Sequence, residues 1–236
     1  MFSASGANCL GRNQESEHSL TDGPAGDSAR HEYEKRRNAR ETRIDTKWGG
    51  LAGVVKFFSD DPHSTKAWAK GSDGERRLAA HLAESLEDRA VLLHDRKVPG
   101  TKGNIDHLVI ASSGVWVVDA KNYKGKVERR DVGGLFKSDQ RLYIAGRDRT
   151  KIAAGLSWQV DAVRQALSEI EAPIRPVICF IAADWDLFAK PFEQNGVLIT
   201  WPQKLVEQIA TPGPVTAEAI TQIAECLANT LPHWSL

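Results

Sequence analysis

The sequence predicts an α/β fold in which a mixed central sheet is flanked by helices. Three observations predict it. An apolar stripe with helical spacing begins near Ser72. Three β-branched, apolar segments follow at 90–98, 104–111 and 114–121, as is typical of consecutive strands. A further apolar run at 174–183 contains a proline near its start and is typical of a buried central strand.

Composition and charge narrow the classes of protein. The chain has 236 residues, and 31 Lys and Arg balance 31 Asp and Glu, so the formal net charge is zero. This balance excludes a histone-like basic protein and an acidic disordered protein. No apolar run approaches the roughly 20 residues that span a bilayer, and no secretory signal is visible. The three cysteines are widely spaced, so we expect a reducing, cytoplasmic location and no membrane partner.

Four parts of the chain are predicted. Residues 1–29 lack apolar periodicity, so we expect them to be disordered. Residues 30–70 hold a charged segment, either a solvated helix or a polyanion-binding tail, and then an apolar linker that packs on the core. Residues 71–185 form the main domain, and residues 186–236 add a strand and helices to the same globular unit. The sequence permits a homo-oligomer but does not indicate one.

The remaining elements follow from the same patterns. We expect a short hairpin at 127–144, one long amphipathic helix at 151–170 and a short strand at 196–200. Two helices finish the chain. One begins at Pro202, because proline is favoured in a first helical turn, and the other runs over 216–231.

Two aspartates and a lysine form the candidate site. Side chains alternate between the faces of a strand, so Asp119 and Lys121 share one face while Ala120 points away. The connector 111–114 has hairpin length. A two-residue loop there places Asp106 directly opposite Asp119, with the two Cβ atoms roughly 5 Å apart; a three-residue loop would not.

Such a pair of carboxylates needs a positive charge nearby. Like charges opposed on an apolar face destabilise a sheet, and a hard divalent cation would offset their repulsion. Lys121 adds a positive charge about 6.6 Å from Asp119 along the strand. Acids, a lysine and a metal suit phosphodiester hydrolysis, because the metal activates water and the lysine positions that water or stabilises developing charge.

Glu75 has two interpretations. Residues 72–75 match a capping box, in which Glu75 would bond to the backbone N–H of Ser72 at a helix start. Glu75 also heads the apolar stripe of Leu78 and Leu82, so it would point toward the sheet and reach the end of a strand. A structural cap and a catalytic or metal-binding acid both stay open.

Four short motifs follow one another along the chain: Gly74-Glu75, N-I-D-H-L at 104–108, Gly114-Val115, and V-D-A-K-N-Y at 118–123 followed by Gly125. In this order they resemble the nuclease-related domain (NERD) family, which is similar to the PD-(D/E)xK nuclease fold. The resemblance covers roughly Gly71–Ala183.

The resemblance assigns roles to the candidate residues. It implies that Asp106 and Asp119 are metal ligands, that Lys121 is the catalytic lysine and that Glu75 is the helix acid. It adds the Ala120 carbonyl as a further ligand and implies Mg²⁺ or Mn²⁺ as the cofactor. The implied activity is that of a metal-dependent nuclease, with DNA as the expected substrate.

A basic segment follows the candidate lysine. Residues 121–151 hold ten basic and four acidic side chains, which suits binding to phosphates beside the site, although a solvated hairpin is the alternative. Some relatives of the fold place Gln and Tyr four residues apart on the next helix, but here Val163 stands four residues after the glutamine. The expected nucleic-acid-binding residues are Lys124, Lys126, Arg129, Arg130 and Gln159.

Other interpretations remain open. His107 lies on the face opposite Asp106 and is predicted to be a packing histidine, and the seven tryptophans are predicted to serve packing. Two alternatives to an enzyme stand beside the nuclease. One is a nuclease-like module that binds nucleic acid without cutting it. The other is a structural or interaction protein in which the acids and the lysine are only an ion cluster.

Overall fold

The protein is described by a computed structural model. The described residues are 63–134 and 137–234 together with 25–27, 31 and 34–35, and for residues 63–70 the description covers the backbone only. The predicted class is confirmed: a six-stranded mixed sheet is flanked by helices, and a separate three-stranded sheet accompanies it.

The described part of the chain contains five α-helices and nine strands with defined bounds, together with a 3-10 helix at Glu87–Arg89 and helical residues between 27 and 35. The helices are α1 (His63–Leu86), α2 (Lys151–Ala154), α3 (Ser157–Ala166), α4 (Pro202–Ile209) and α5 (Ala217–Thr230). The strands are β1 (Ala90–Lys97), β2 (Asn104–Ala111), β3 (Gly114–Lys121), β4 (Val127–Asp131), β5 (Gln140–Ile144), β6 (Arg147–Asp148), β7 (Ile174–Phe180), β8 (Phe192–Gln194) and β9 (Val197–Thr200).

The large sheet combines a local meander with distant parallel strands. Its order is β1-β2-β3-β7-β9-β8. Strands β1, β2 and β3 pair antiparallel, whereas β7 runs parallel to both β3 and β9. The predicted central strand is confirmed, because β7 lies between β3 and β9 and its residues 177–180 are buried. The predicted hairpin at 127–144 is also confirmed as β4 and β5, to which β6 adds a short third strand.

Each face of the large sheet packs on different helices, because the side chains of β3 alternate. Val115 and Val117 pack with residues of α3 and α5, and we call this the front face. Trp116, Val118 and Ala120 pack with residues of α1 and α4 on the back face. By the same alternation Asp119 and Lys121 belong to the front face.

Two predicted boundaries are wrong. Helix α1 begins at His63, so residues 63–70 are helical rather than part of the predicted linker. The long helix predicted at 151–170 is divided into α2 and α3 around Gly155. There the N–H groups of Gly155 and Leu156 bond to carbonyls three residues back, which tightens the turn where glycine weakens the α-helix.

The first residues of the chain are not all as predicted. Ala25 and Gly26 are buried, and the Ser72 hydroxyl donates to the Gly26 carbonyl at 3.1 Å. The prediction of disorder is therefore wrong for this short stretch, which packs on α1. The rest of the predicted tail, the apolar segment 48–58 and most of the charged segment 30–47 lie outside the described residues.

Candidate functional site

The predicted register between β2 and β3 is confirmed. Strands β2 and β3 pair from Ala111–Gly114 to His107–Val118. The pairing ends there, one step before the two aspartates. Instead, the backbone N–H of Ala120 donates to Oδ2 of Asp106 at 2.9 Å. A carboxylate thus takes the place of a strand carbonyl, and Asp106 is fixed to the backbone of β3.

Lys121 and Asp119 form a close ion pair. The Lys121 Nζ lies 2.5 Å from Oδ1 of Asp119, and the two side chains are 30% and 8% exposed. Burial lowers the pKa of Lys121, but Asp119 and Asp106 outweigh burial and raise that pKa to about 12. The ammonium group therefore stays charged at neutral pH and acts as a fixed positive charge.

Glu75 joins this cluster from α1. Its side chain is buried, and Oε2 has no hydrogen-bond partner among the residues that the structure describes. The capping-box interpretation is wrong, because α1 extends to His63 and Ser72 lies within the helix rather than at its start. A buried, unpartnered carboxylate oxygen is costly unless a ligand or proton satisfies it.

Gly74 brings the helix against the end of β3. A Cβ at position 74 would lie only 2.8 Å from the Cβ of Asn122, the residue after Lys121. The Gly-Glu pair of the sequence therefore has a physical reason. The glycine permits the close approach, and the glutamate arrives at the edge of the sheet where Asp119 and Lys121 lie.

Burial and neighbouring carboxylates raise the pKa of two acids of the cluster, Glu75 and Asp106. Burial raises the pKa of Glu75 to about 7, with repulsion from Asp95 and then Asp119 adding to it while Lys121 opposes it. Burial also raises the pKa of Asp106 well above its usual value, and Glu75 and Asp119 raise it further. The cluster thus holds more negative charge than its single lysine offsets.

Asp95 is a member of the cluster that sequence analysis missed. It is fully buried on β1, has a positive φ of 48° and accepts a hydrogen bond from Nδ2 of Asn104 at 2.8 Å. It stands between the His94–His107 and Arg96–Ile105 pairs, hence in register with Asp106. The six residues that join β1 to β2 do not fix this register, so the sequence carries no clear signal for it.

The donor chemistry of the cluster fits a hard divalent cation. Carboxylate oxygens are the ligands that Mg²⁺ and Mn²⁺ prefer, and the unpartnered oxygen of Glu75 is one such donor. In the described part of the chain, however, no three His, Cys, Asp or Glu side chains gather into a group that could hold a metal ion. Asp106, Asp119 and the Ala120 carbonyl therefore stay predicted ligands, with Glu75 as a fourth.

The predicted nucleic-acid-binding residues have different surroundings. Lys126 pairs with Glu128 at 3.1 Å and with Asp186 at 3.0 Å, so its charge is already matched. Two arginines of β4 lie over aromatic rings: Arg129 is 5.5 Å from the Phe192 ring centroid and Arg130 is 4.5 Å from that of Tyr143. Lys124 is exposed, and the structure records no ion pair between it and another described residue.

Gln159 points inward from α3. It is buried between residues that face the front of the sheet, and its Oε1 has no hydrogen-bond partner among the described residues. Asp119 and Lys121 belong to the same face. Gln159 therefore lies on the same side of the sheet as Asp119 and Lys121, and its role in binding nucleic acid stays a prediction.

The histidine is packed in the core, and two of the tryptophans contact each other. His107 is fully buried, and its Nδ1 lies 2.8 Å from Nδ1 of His94, in agreement with a packing histidine. Trp185 and Trp201 meet with ring centroids 4.6 Å apart. Sequence spacing gave no sign of this contact, because it depends on the neighbouring positions of β7 and β9.

A known family matches the central part of the chain. The model of the nuclease-related domain family matches residues 70–181, which contain all the residues of the cluster. Comparison with curated proteins gives no match, and neither does comparison with solved structures. Within the described ranges, no helix combines the length and the apolar character needed to cross a membrane.

Proposed function

Residues 70–181 match the nuclease-related domain family, and from this premise we propose that the protein is a metal-dependent nuclease acting on DNA. One observation carries the proposal. Asp119, its ion-paired Lys121 and the backbone-anchored Asp106 meet at one edge of the sheet, and Glu75 arrives there from α1. This is the chemistry that phosphodiester hydrolysis needs.

The proposed cofactor is Mg²⁺ or Mn²⁺. Asp106 and Asp119 would hold it, with the Ala120 carbonyl and Glu75 as further oxygen donors. When bound, such an ion lowers the pKa of a water molecule and neutralises charge on the phosphate.

The side chains have separate tasks. Lys121 keeps its positive charge at neutral pH and stabilises the negative charge that develops on the phosphoryl oxygens. Asp119 holds the lysine in place through their 2.5 Å contact, and the Ala120 N–H orients the Asp106 carboxylate. Lys124, exposed just beyond the site, would bind a neighbouring backbone phosphate.

The proposal is tested with purified protein on circular and linear DNA in Mg²⁺, Mn²⁺ and EDTA. We expect metal-dependent cleavage, and we expect Asp119→Asn to lower its rate by at least about 100-fold because it removes a charged group at the reacting centre. Asp161→Asn is the matched control, since Asp161 is an exposed residue of α3 whose one ion pair with a described residue is that with Arg164. Equal rates in wild type and Asp119→Asn would refute the assignment.

A second function is favoured by a specific observation. The Lys121 ammonium group already contacts Oδ1 of Asp119, an atom that a metal ion would need. Among the described residues, no three His, Cys, Asp or Glu side chains form a group that could hold a metal ion. A module that binds nucleic acid without cutting it would have these properties. It predicts salt-sensitive retention of DNA or RNA without turnover in either metal, and the same preparations distinguish it from the nuclease.

A further inference from the structure

A cavity lies at the same edge of the sheet as the candidate site. It is a cavity of about 270 Å³ between α1, the end of β7 and the start of α4. This volume is near the lower end of the roughly 300–1,000 Å³ of pockets that hold small ligands. The lining residues used below are Arg77, His81, Phe180, Ala183, Trp185 and Trp201.

The cavity is close to the candidate lysine. Lys121 pairs with Phe180 across β3 and β7, and Cys179 pairs with Thr200 across β7 and β9. Trp201 follows directly, so it lies two strands from Lys121, or about 10 Å. That is the length of about three stacked nucleotides of a strand. On α1, His81 comes six residues after Glu75, about 9 Å along the helix.

A row of aromatic rings connects the lysine to the cavity. Tyr123, two residues after Lys121 and 37% exposed, has its ring centroid 6.1 Å from that of Phe180. Phe180 lies 6.5 Å from Trp185, which lies 4.6 Å from Trp201. Phe180 is fully buried and connects the row, whereas Tyr123, Trp185 and Trp201 are partly exposed. Exposed aromatic faces stack on nucleobases of any sequence.

The walls of the cavity also carry unsatisfied polar atoms. Nε1 of Trp185 and Nε2 of His81 are buried, and neither has a hydrogen-bond partner among the residues described. Buried polar atoms are normally paired, so an occupant that can form hydrogen bonds is indicated. Arg77 is exposed at the rim and adds a cation there.

We propose that this cavity binds one unpaired nucleobase of the nucleic-acid chain whose phosphodiester lies at the Asp119–Lys121 site. A nucleobase has both properties that the walls require, a planar face for the tryptophans and an edge rich in donors and acceptors. That edge is free only in a single strand, at a frayed end or in a flipped nucleotide. The inference rests on the proposed function and narrows the substrate class to nucleic acid with an unpaired base near the cleavage position.

The test is binding of the full chain to labelled single-stranded oligonucleotides in EDTA, followed by fluorescence anisotropy. A single abasic residue is moved along the oligonucleotide, and free mononucleotides form a separate arm. We expect one abasic position to weaken binding by about 5- to 150-fold, the range that loss of one stacked base causes. We expect Trp201→Ala to remove this dependence on position.

Two further variants test whether the effect comes from the cavity itself. Ala183→Leu fills the cavity without removing an aromatic ring, and it should have the same effect as Trp201→Ala if both variants melt like a folded protein. Trp158→Ala is the control, because Trp158 is a 38% exposed tryptophan on α3 that does not line the cavity. If Trp158→Ala lost the dependence of binding on the abasic position as fully as Trp201→Ala, the inference would be overturned.

The outcomes separate the cavity from the nuclease. Because binding is measured in EDTA, a position-specific abasic effect in a chain that never cuts supports the nucleobase site and refutes the nuclease. A flat profile in a chain that cuts refutes the nucleobase site alone. Binding of free mononucleotides together with a flat profile would also overturn the inference, since the cavity would then serve a free ligand.

Discussion

At the scale of single residues, the acids of the site destabilise the metal-free fold. Burial and mutual repulsion raise the pKa of both Glu75 and Asp106. Ionised, these groups repel one another, and Lys121 is the one cation among the described residues that offsets their charge. Proteins keep such arrangements where a function needs them, which is why perturbed carboxyl groups mark candidate sites.

The pKa of Glu75 gives the sign of a pH effect. It is raised from 4.5 to about 7, so the unfolded chain releases this proton first as the pH rises. The contribution of Glu75 to stability is complete below about pH 4.5 and is lost as the pH rises through about 7. We expect Glu75→Gln, in EDTA, to be more stable than wild type at pH 8 and similar to it at pH 4.5.

Thermal melting from pH 4.5 to 8.5 measures the difference between the two proteins. Glu84→Gln is the control, because Glu84 is an exposed residue of the same helix. Parallel melting curves for wild type and Glu75→Gln across this range would contradict the prediction.

A bound cation should reverse this destabilisation. Anything that binds only the folded state stabilises it, by about 2.7 kcal/mol at a concentration of 100 times Kd. We expect Mn²⁺ at pH 8 to raise the melting temperature of wild type, and to raise that of Asp106→Asn and Asp119→Asn much less. An equal rise in all three proteins would place the bound metal elsewhere.

At the scale of elements, the contact between α1 and the end of β3 decides where Glu75 lies. Gly74 permits this contact, because a larger residue would meet the side chain of Asn122. The same helix offers a glycine without this constraint. Among the described residues, a Cβ at Gly71 would meet only Oε1 of Glu75, at an ordinary distance of 3.9 Å.

The two glycines should therefore respond oppositely to alanine. Alanine favours a helix over glycine by about 0.8–1.0 kcal/mol, so Gly71→Ala should stabilise the fold by up to about that amount. In Gly74→Ala the same gain is opposed by overpacking of about 1–3 kcal/mol, and displacement of Glu75 should also lower cleavage. Urea unfolding and the cleavage assay measure both effects, and a stabilised, fully active Gly74→Ala would contradict the prediction.

Much of the fold follows from local pattern in the sequence. Strands β1 to β3 follow from hydrophobic alternation. A two-residue turn sets the β2–β3 register, which brings Asp106 close to Asp119 although the strand pairing ends at His107–Val118. The start of α1 could not be placed, because Ser72 and Glu75 match a cap that the longer helix overrides. Asp95 and the Trp185–Trp201 contact depend on pairing between distant segments, which local pattern does not determine.

At the scale of the whole molecule, a net charge of zero conceals unequal local charge. Residues 121–151 are rich in basic side chains, but many of these are matched by neighbouring acids. Arg141, for example, pairs with Asp139 and Asp148, whereas Lys124 has no recorded ion pair among the described residues. Only an unmatched cation releases counterions fully when it binds a phosphate.

Salt dependence of binding should reveal this difference. We expect Lys124→Gln to reduce the slope of log K against log salt by about one unit, and Arg141→Gln to change it much less. The measurement is retention of single-stranded DNA from 50 to 200 mM salt in EDTA. Equal slopes for the two variants would show that the ion pairs do not determine which cations meet the phosphates.

The two-residue turn between β2 and β3 also has a consequence for the order of folding. It brings Asp106 and Asp119 together through a short loop, whereas β7 joins β3 only after about 50 further residues. Closing a short loop costs less chain entropy than closing a long one, so hairpins form within about 1–10 μs and distant parallel pairs form later. We therefore expect the acidic pair to assemble in the nascent hairpin before β7 joins the sheet, so that β7 adds its aromatic residue to a candidate site whose strands are already in register.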